Sequence, residues 1–183
     1  MKKILQQTEG VLRKIAEEVP VAEIRSKKIQ NVLKELSASL KSQDDGVAIA
    51  APQIGYSLRI FVVSGKIFSK NFTKSREELL LEEGSANPPP KETIKDLVFI
   101  NPKISRLSRD KEWLPEGCLS VRWLYGKIFR SKKATVTAYD EEGNKFTRGA
   151  SGLLAQIFQH ETDHLNGILF IDNAKDIKEE LPK

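Results

Sequence analysis

The segment QHETDHLNG, residues 159–167, contains both histidines of this 183-residue chain. His160 and His164 are four positions apart, so on a helix their side chains project from the same face, one turn apart. Two imidazoles held in this way can bind one divalent cation, and Glu161 is placed to take a proton from a metal-activated water. Asn166-Gly167 is typical of the end of a helix. The segment therefore predicts a late helix that carries the HExxH pattern and a catalytic metal site.

A catalytic metal site of this kind needs a third protein ligand, and Cys118 is the best candidate by elimination. One class of metallopeptidase has a third histidine six positions after the second, but that position is Phe170. Another class uses a glutamate on a later helix, and only Glu179 and Glu180 follow, near the end of a charged segment. The glycine before Cys118 permits close backbone approach, and a bound cation would hold the sulfur as thiolate.

The segments around these residues predict an α+β fold. Apolar residues at helical spacing from Ile29 onward predict a helix within Val21–Gln43, and Ser151 is a plausible N-cap of the late helix. The turn Asp140–Asn144 separates two strands. The predicted strands are Arg59–Val63, Leu97–Ile100, Lys103–Leu107, Ala134–Tyr139 and Lys145–Gly149. We therefore expect short mixed or antiparallel strands around the late C-terminal helix.

Residues 64–96 differ from the rest, and we expect them to form a surface excursion inside a single domain that spans 1–183. Ser75–Glu78 has the form of a capping box and predicts one short helix through Leu81. Gly84–Pro90 can form neither a helix nor a central strand. Such an excursion can be a substrate lid, a contact with another molecule or an inert loop, and the inert loop is the commonest outcome.

Composition points to the cytoplasm. The chain is 39% hydrophobic and 30% charged, as in ordinary soluble globular proteins, and no apolar run approaches the length of a membrane span. Its start is too polar for a signal peptide, and a single cysteine excludes an intrachain disulfide. The net charge of +5 is spread along the chain without a basic arm. We expect neither a membrane partner nor a specific nucleic-acid partner.

Three motifs together resemble those of the peptide deformylase family. They are GVAIAAPQIG at 46–55, EGCLS at 116–120 and QHETDHLNG at 159–167, in the family's order. The resemblance continues in Tyr125-Gly126, Arg130 and Ile168–Asp172. It implies a deformylase-like fold and a metal-dependent hydrolase. Such an enzyme removes the formyl group from the N-terminal formyl-methionine of nascent polypeptides and releases formate.

The resemblance also implies a role for each matching residue. Cys118, His160 and His164 would bind the metal, with water as the fourth ligand, and Glu161 would be the general base. The backbone N–H of Leu119 and the side-chain amide of Gln53 would stabilise the oxyanion, with Gln159 supporting the site. Substrate-lining residues are expected next to the motifs, at Gly46, Val47, Ala48, Ile49, Leu153 and Ile157.

The identity of the metal is less clear from the residues than its ligands are. One Cys with two His suits zinc by softness and geometry. The resemblance implies ferrous iron in the cell, with Zn²⁺, Ni²⁺ or Co²⁺ as other occupants. The expected partners are N-formyl-methionyl peptides.

Two departures from the family pattern affect these expectations. Ala48 stands where the family usually has a second glycine, so we expect an altered affinity or side-chain preference rather than lost chemistry. The segment Ala174–Leu181 is long enough for about two helical turns. The longer basic helix with which some family members dock on the ribosome would then be absent or shortened, so at most a transient ribosome association is expected.

Three other interpretations compete with deformylation. A metallopeptidase that cuts internal bonds would need a different third ligand, so replacing Cys118 would leave its metal bound. A non-catalytic binding protein on a degenerate deformylase scaffold is disfavoured because all five catalytic and ligand side chains are present. Simple RNA binding is disfavoured because the sequence shows no aromatic-plus-basic platform.

Overall fold

The computed structural model describes residues 1–69, 72 and 94–181, which contain two α-helices, eight β-strands and five short 3-10 helices. The helices are α1 (Lys27–Lys41) and α2 (Gly152–Leu165). The strands are β1 (Ala48–Ala50), β2 (Ile60–Val63), β3 (Leu97–Leu107), β4 (Lys111–Gly117), β5 (Leu124–Ser131), β6 (Lys133–Tyr139), β7 (Lys145–Ser151) and β8 (Lys175–Glu179). The predicted α+β class is confirmed.

The strands form two antiparallel sheets. One has five strands in the order β1-β2-β3-β6-β7, and the other has three in the order β4-β5-β8. The strands predicted separately at Leu97–Ile100 and Lys103–Leu107 are one strand, β3, whose pairing with β6 shifts register between Ile100 and Lys103. The predicted turn at Asp140–Asn144 is confirmed, with the Asp140 Oδ1 atom accepting from the backbone N–H of Asn144 at 2.8 Å.

The five-stranded sheet lies between the two helices. Side chains alternate along its strands, so each face of the sheet packs against one helix. On β2, Phe61 and Val63 face the cluster that contains α2, whereas Ile60 and Val62 face the cluster that contains α1. Ser26 caps α1 by accepting from the backbone N–H of Ile29 at 3.3 Å. The helix then buries one apolar stripe against the sheet, formed by Ile29, Val32, Leu33, Leu36 and Leu40.

Packing of α2 against the sheet fixes the orientation of the HExxH face. The ring of Phe158 lies 5.1 Å from that of Phe99, edge to face, and Phe99 stacks on Phe61 at 4.6 Å. Burial of each such ring stabilises the fold by about 1.5–3 kcal/mol. The Gln159 side chain accepts from the backbone N–H of Ser131 at 3.0 Å and donates to its carbonyl at 2.9 Å. The helix is therefore tied to both sheets.

The ends of α2 agree with the prediction. Ser151 is the N-cap, although its side chain makes no capping hydrogen bond, and the helix ends at Leu165. Gly167 has φ +73, and a Cβ there would lie 2.8 Å from the backbone of Arg13, so a side chain would be excluded. The chain must turn sharply here because Gly167 is pressed against the N-terminal segment.

One predicted element is wrong, and another lies outside the described residues. Ala174–Leu181 does not form helical turns: Lys175–Glu179 is the strand β8, which pairs with β5. The short helix predicted at Ser75–Leu81 falls outside the described residues. Within the described ranges, no helix combines the length and apolar character needed to cross a membrane.

Candidate metal centre and active-site cavity

Three potential ligand side chains converge where α2 meets the end of β4. His160 and His164 project from α2, and Cys118 follows the last residue of β4. One ligand atom from each residue lies within 4.8 Å of the others, and the Cys118 Sγ atom is 3.2 Å from the His164 Nε2 atom. The helical spacing that suggests two ligands thus places both imidazoles beside the predicted third.

This donor set fits a single divalent cation. Metal–sulfur and metal–nitrogen bonds of about 2.3 and 2.0–2.1 Å span the separations found here with modest side-chain adjustment. The Cys118 sulfur already accepts from the Ser120 backbone N–H at 3.4 Å and faces the Gln53 Nε2 atom at 3.6 Å. These two donors hold the sulfur in place beside the two histidines.

Burial makes His164 suitable as a neutral ligand. Burial, together with the neighbouring His160, holds the pKa of His164 well below its ordinary value. Burial also opposes a charge on His160, but its hydrogen bonds to Cys118 and Glu116 raise the pKa of His160 well above the ordinary value. The Cys118 sulfur and the Glu116 carboxylate thus favour a positive charge at His160, which lies between them. A bound cation would supply positive charge at the same place.

A buried ion-pair network supports His160 from behind. The His160 Nδ1 atom is 3.0 Å from the Glu116 Oε2 atom, which leaves Nε2 for a metal. Arg130 donates to both oxygens of Glu116 at 2.9 and 3.0 Å and to Asp163 at 2.6 Å. Burial opposes the charge on Glu116, but hydrogen bonds from His160 and Arg130 lower its pKa to about 2. Sequence reasoning noted Arg130 only as part of the resemblance and assigned Glu116 no role.

Glu161 lies beside the proposed ligands in the cavity. Its side chain lines the cavity and is 3% exposed. Its Oε2 atom has no hydrogen-bond partner among the residues that the structure describes. Burial raises the pKa of Glu161 to about 7. A carboxylate in this state can exchange a proton near neutral pH.

Gln53 and Leu119 lie on two separate segments that approach the metal site. Gln53 belongs to a 3-10 helix at Ala51–Ile54, and its Oε1 atom accepts from the Ala50 backbone N–H at 2.8 Å. Its Nε2 atom then points at Ser120 Oγ, 3.1 Å away. Leu119 lines the same cavity as Gln53.

A cavity of about 330 Å³ opens onto the metal site. Of the six predicted lining residues, it contacts Gly46, Val47, Ala48, Leu153 and Ile157. The prediction that Ile49 lines the cavity is corrected by the structure. Its side chain is fully buried on the α1 side of the sheet, because neighbouring residues of β1 point to opposite faces.

The rim of the cavity contains residues that sequence reasoning missed. Arg122 donates to Asp45 at 2.5 and 3.0 Å, which joins the two sides of the cavity, and its guanidinium lies 4.5 Å from the ring centre of Trp123. These three residues are distant or unremarkable in sequence, so no local pattern could have identified the contact.

Comparisons with known proteins identify the family to which the chain is similar. The model of the polypeptide deformylase family matches residues 1–180. The peptide deformylase of Desulforudis audaxviator is 36% identical over 177 residues, which cover 95% of this chain and 94% of that protein. The Met-Ala-Ser-bound class I type b peptide deformylase of Acinetobacter baumannii is similar with a TM-score of 0.75 at 28% identity, over 94% of this chain and 98% of that one. A peptide deformylase of Synechococcus elongatus in complex with actinonin has a TM-score of 0.74 at 29% identity, over 96% and 79%.

Proposed function

This chain belongs to the polypeptide deformylase family, and from that premise we propose which of its side chains carry out the reaction. The protein is a metal-dependent hydrolase that removes the formyl group from the N-terminal formyl-methionine of nascent polypeptides and releases formate. Its reaction belongs to N-terminal processing in protein biosynthesis. The observation that carries the residue assignments is the convergence of three ligand atoms at one site, where Cys118, His160 and Glu161 line the cavity.

Cys118, His160 and His164 are the proposed metal ligands. A divalent cation bound there supplies an activated water at neutral pH and polarises a carbonyl oxygen. Glu116 orients His160 so that the Nε2 atom faces the ligand cluster, and Arg130 keeps Glu116 in place. The short Cys118–His164 distance supports the cysteine as the third ligand over a glutamate of the C-terminal segment. This argues for a deformylase over a metallopeptidase with a different ligand set.

Glu161 is the proposed general base and then the general acid. It takes a proton from the water that attacks the formyl carbon, and it gives that proton to the amine nitrogen as the C–N bond breaks. The products are formate and a peptide with a free N-terminus. Support comes from its burial beside the ligands and from an oxygen that no other described residue engages.

Gln53 and the backbone N–H of Leu119 are the proposed oxyanion donors. Negative charge develops on the formyl oxygen as water adds, and each preplaced donor is worth about 3–4 kcal/mol at that stage. The hydrogen bond from the Ala50 backbone N–H to the Gln53 Oε1 atom fixes the orientation of the Gln53 side-chain amide. The Nε2 atom is therefore the one directed at the metal site.

The substrates are proposed to be N-formyl-methionyl peptides whose first side chain enters the cavity. Apolar walls from Val47 and Ile157 suit a methionine side chain, and the recessed metal site favours the small formyl group over an internal peptide bond. The Acinetobacter baumannii relative binds Met-Ala-Ser, a peptide with the same first residue. Ala48 adds a methyl group to this wall.

The finer assignments that follow are also proposals. We propose ferrous iron as the metal in the cell, with Zn²⁺, Ni²⁺ or Co²⁺ as other occupants, and the cytoplasm as the site of action. A ribosome association would be transient, since residues 175–179 form a strand rather than a docking helix.

We also propose one catalytic domain over 1–183, with 64–96 as an excursion. The two ends of that excursion meet, because the Gly65 backbone N–H donates to Asp96 at 3.1 Å.

The test is formate release from formyl-Met-Ala-Ser by anaerobically purified, ferrous-loaded protein. Glu161→Gln should retain the metal and lose activity, whereas Cys118→Ser should lose the metal. Formate release by a metal-replete Glu161→Gln variant at the wild-type rate would refute the assignment of the base. Metal retention by Cys118→Ser would revive the metallopeptidase interpretation.

A further inference from the structure

The N-terminal segment contacts both segments that carry the proposed oxyanion donors. The Leu5 backbone N–H donates to the Gln53 carbonyl at 2.8 Å. The next side chain, Gln6, donates from Nε2 to the Leu119 carbonyl at 3.1 Å and accepts at Oε1 from the Arg122 backbone N–H at 3.3 Å. Two consecutive residues thus connect the two walls that must face one substrate oxygen.

We propose that Gln6 is a positioning residue for deformylation, which sets the geometry of the oxyanion hole without touching the substrate. This inference rests on the proposed roles of Leu119 and Gln53. Gln6 holds the Leu119 side of the hole, and the Leu5 backbone holds the Gln53 side.

The loop after Cys118 needs such an external tether. Its only backbone bonds within 118–124 join Val121 to Cys118 at 3.1 Å and Leu124 to Val121 at 3.0 Å. These bonds close two turns. From outside the loop, the Gln53 Nε2 atom donates to Ser120 Oγ at 3.1 Å and the Glu180 backbone N–H donates to the Trp123 carbonyl at 3.0 Å, whereas Gln6 is the contact at Leu119 itself. The Gln6 amide grips this loop at Leu119 and Arg122, so it fixes the plane of the peptide groups next to the donor N–H.

The N-terminal segment is rigid enough to serve as this reference. The buried Ser39 side chain of α1 accepts from the Lys2 backbone N–H at 3.1 Å and donates to the Lys2 carbonyl at 2.8 Å. Leu5 packs against a further apolar cluster that contains the buried residues Leu12 and Val121. The same segment therefore reaches from α1 to the active-site loop.

A merely structural role for Gln6 makes a different prediction from a positioning role. Loss of a structural bond lowers the free energy of unfolding but leaves the turnover of each folded, metal-loaded molecule unchanged. Misplacement of an oxyanion donor lowers kcat, while the KM for the substrate changes little, because the donor acts on charge that develops in the transition state. The kcat-to-KM split separates the two roles.

The experiment compares Gln6→Met with Gln7→Met under metal-replete, anaerobic conditions. Methionine keeps the length of the side chain but removes its donor and its acceptor. A displacement of about 1 Å in a catalytic group can cost ~100-fold, so we expect kcat for formyl-Met-Ala-Ser to fall by roughly tenfold or more, with KM within about twofold. Gln7 has no side-chain hydrogen bond among the residues that the structure describes, and its variant should keep the wild-type kcat.

Ser39→Ala supplies a second test that leaves the active-site loop untouched. The substitution removes both hydrogen bonds to Lys2. We therefore expect kcat to fall as it does in Gln6→Met, by about threefold. Unchanged kcat in both Gln6→Met and Ser39→Ala would overturn the positioning role while leaving the proposed function intact. The role would also be overturned by a fall that matches a loss of bound metal. Absence of formate release by metal-replete wild type would instead overturn the proposed function.

Discussion

Replacement of Arg130 by alanine should be among the most damaging changes outside the ligand set. Its guanidinium makes three hydrogen bonds to two carboxylates, Glu116 and Asp163, whose side chains are 4% and 25% exposed. Removal leaves the buried anion at Glu116 without the guanidinium that donates to both its oxygens and loosens the carboxylate that orients His160. Both stability and metal retention should therefore suffer.

The expected loss of stability is a large part of the protein's total free energy of unfolding. Breaking a buried ion pair by removing one partner costs about 3–5 kcal/mol, against a total free energy of unfolding of roughly 5–15 kcal/mol. At ~2–4 °C per kcal/mol for a chain of this size, the Tm should fall by roughly 6–20 °C. Loss of a carboxylate that orients a ligand histidine typically costs about 10–100-fold in metal affinity, so metal retention should fall as well.

Urea unfolding and competition with a chelator measure the two effects. Arg106→Ala is the matched control, because it removes an exposed arginine from another strand. Arg130→Lys keeps the positive charge but not the planar guanidinium that donates to both oxygens of Glu116. It should therefore recover only part of the lost stability. A destabilisation by Arg130→Ala below about 1 kcal/mol, with metal affinity unchanged, would refute the reasoning, since the network would then contribute no more than a surface ion pair.

Two further predictions concern pH and substrate choice. Burial opposes the charge on Asp172, but hydrogen bonds from Arg13 and the Leu169 backbone lower its pKa below 3.8, so its stabilisation is present above that pH and is lost as the pH falls through the lower folded value. Urea unfolding of metal-free protein should show Asp172→Asn less stable than wild type by about 1 kcal/mol or less at pH 7, because the pair is partly exposed. The difference should shrink as the pH falls below 3.8 and disappear below the folded pKa; a difference independent of pH would contradict this. Ala48→Gly removes one methyl group from the cavity wall and leaves room to bury about one further CH₂ of a larger substrate side chain. Burial of a CH₂ is worth ~0.8 kcal/mol or about fourfold, so kcat/KM for formyl-Met-Leu relative to formyl-Met-Ala should rise by up to that factor. An unchanged ratio would place Ala48 outside the contact with the second residue.

Local periodicity explains what the sequence predicted well. The bounds of α2 follow from helical spacing and from the glycine requirement at Gly167 just beyond its end, both of which are visible within a few residues. Cys118 is the predicted third ligand because the sequence contains no further histidine, which is an argument from composition. The sequence also indicated the family, since three short motifs in order are far more specific than any one of them.

The errors arise where long-range pairing decides the structure. Lys175–Glu179 has a charged composition compatible with a helix, but pairing with β5 makes it a strand. Ile49 neighbours residues that line the cavity, yet strand alternation turns its side chain to the opposite face. Gln6 and Leu119 are 113 positions apart, so their hydrogen bond could not be inferred from any local pattern.

The metal centre combines two periodicities that the motifs describe separately. Glu116 and Cys118 are two positions apart at the end of β4, so both face α2, and the intervening Gly117 turns to the other side. A Cβ at Gly117 would lie 2.6 Å from the Tyr125 ring, so a side chain there would displace that ring or the strand end. On α2, His160 meets Glu116 while His164 meets Cys118. Glu116 thus engages His160 while Cys118 engages both histidines, so the glutamate of EGCLS orients a proposed ligand that the cysteine accompanies.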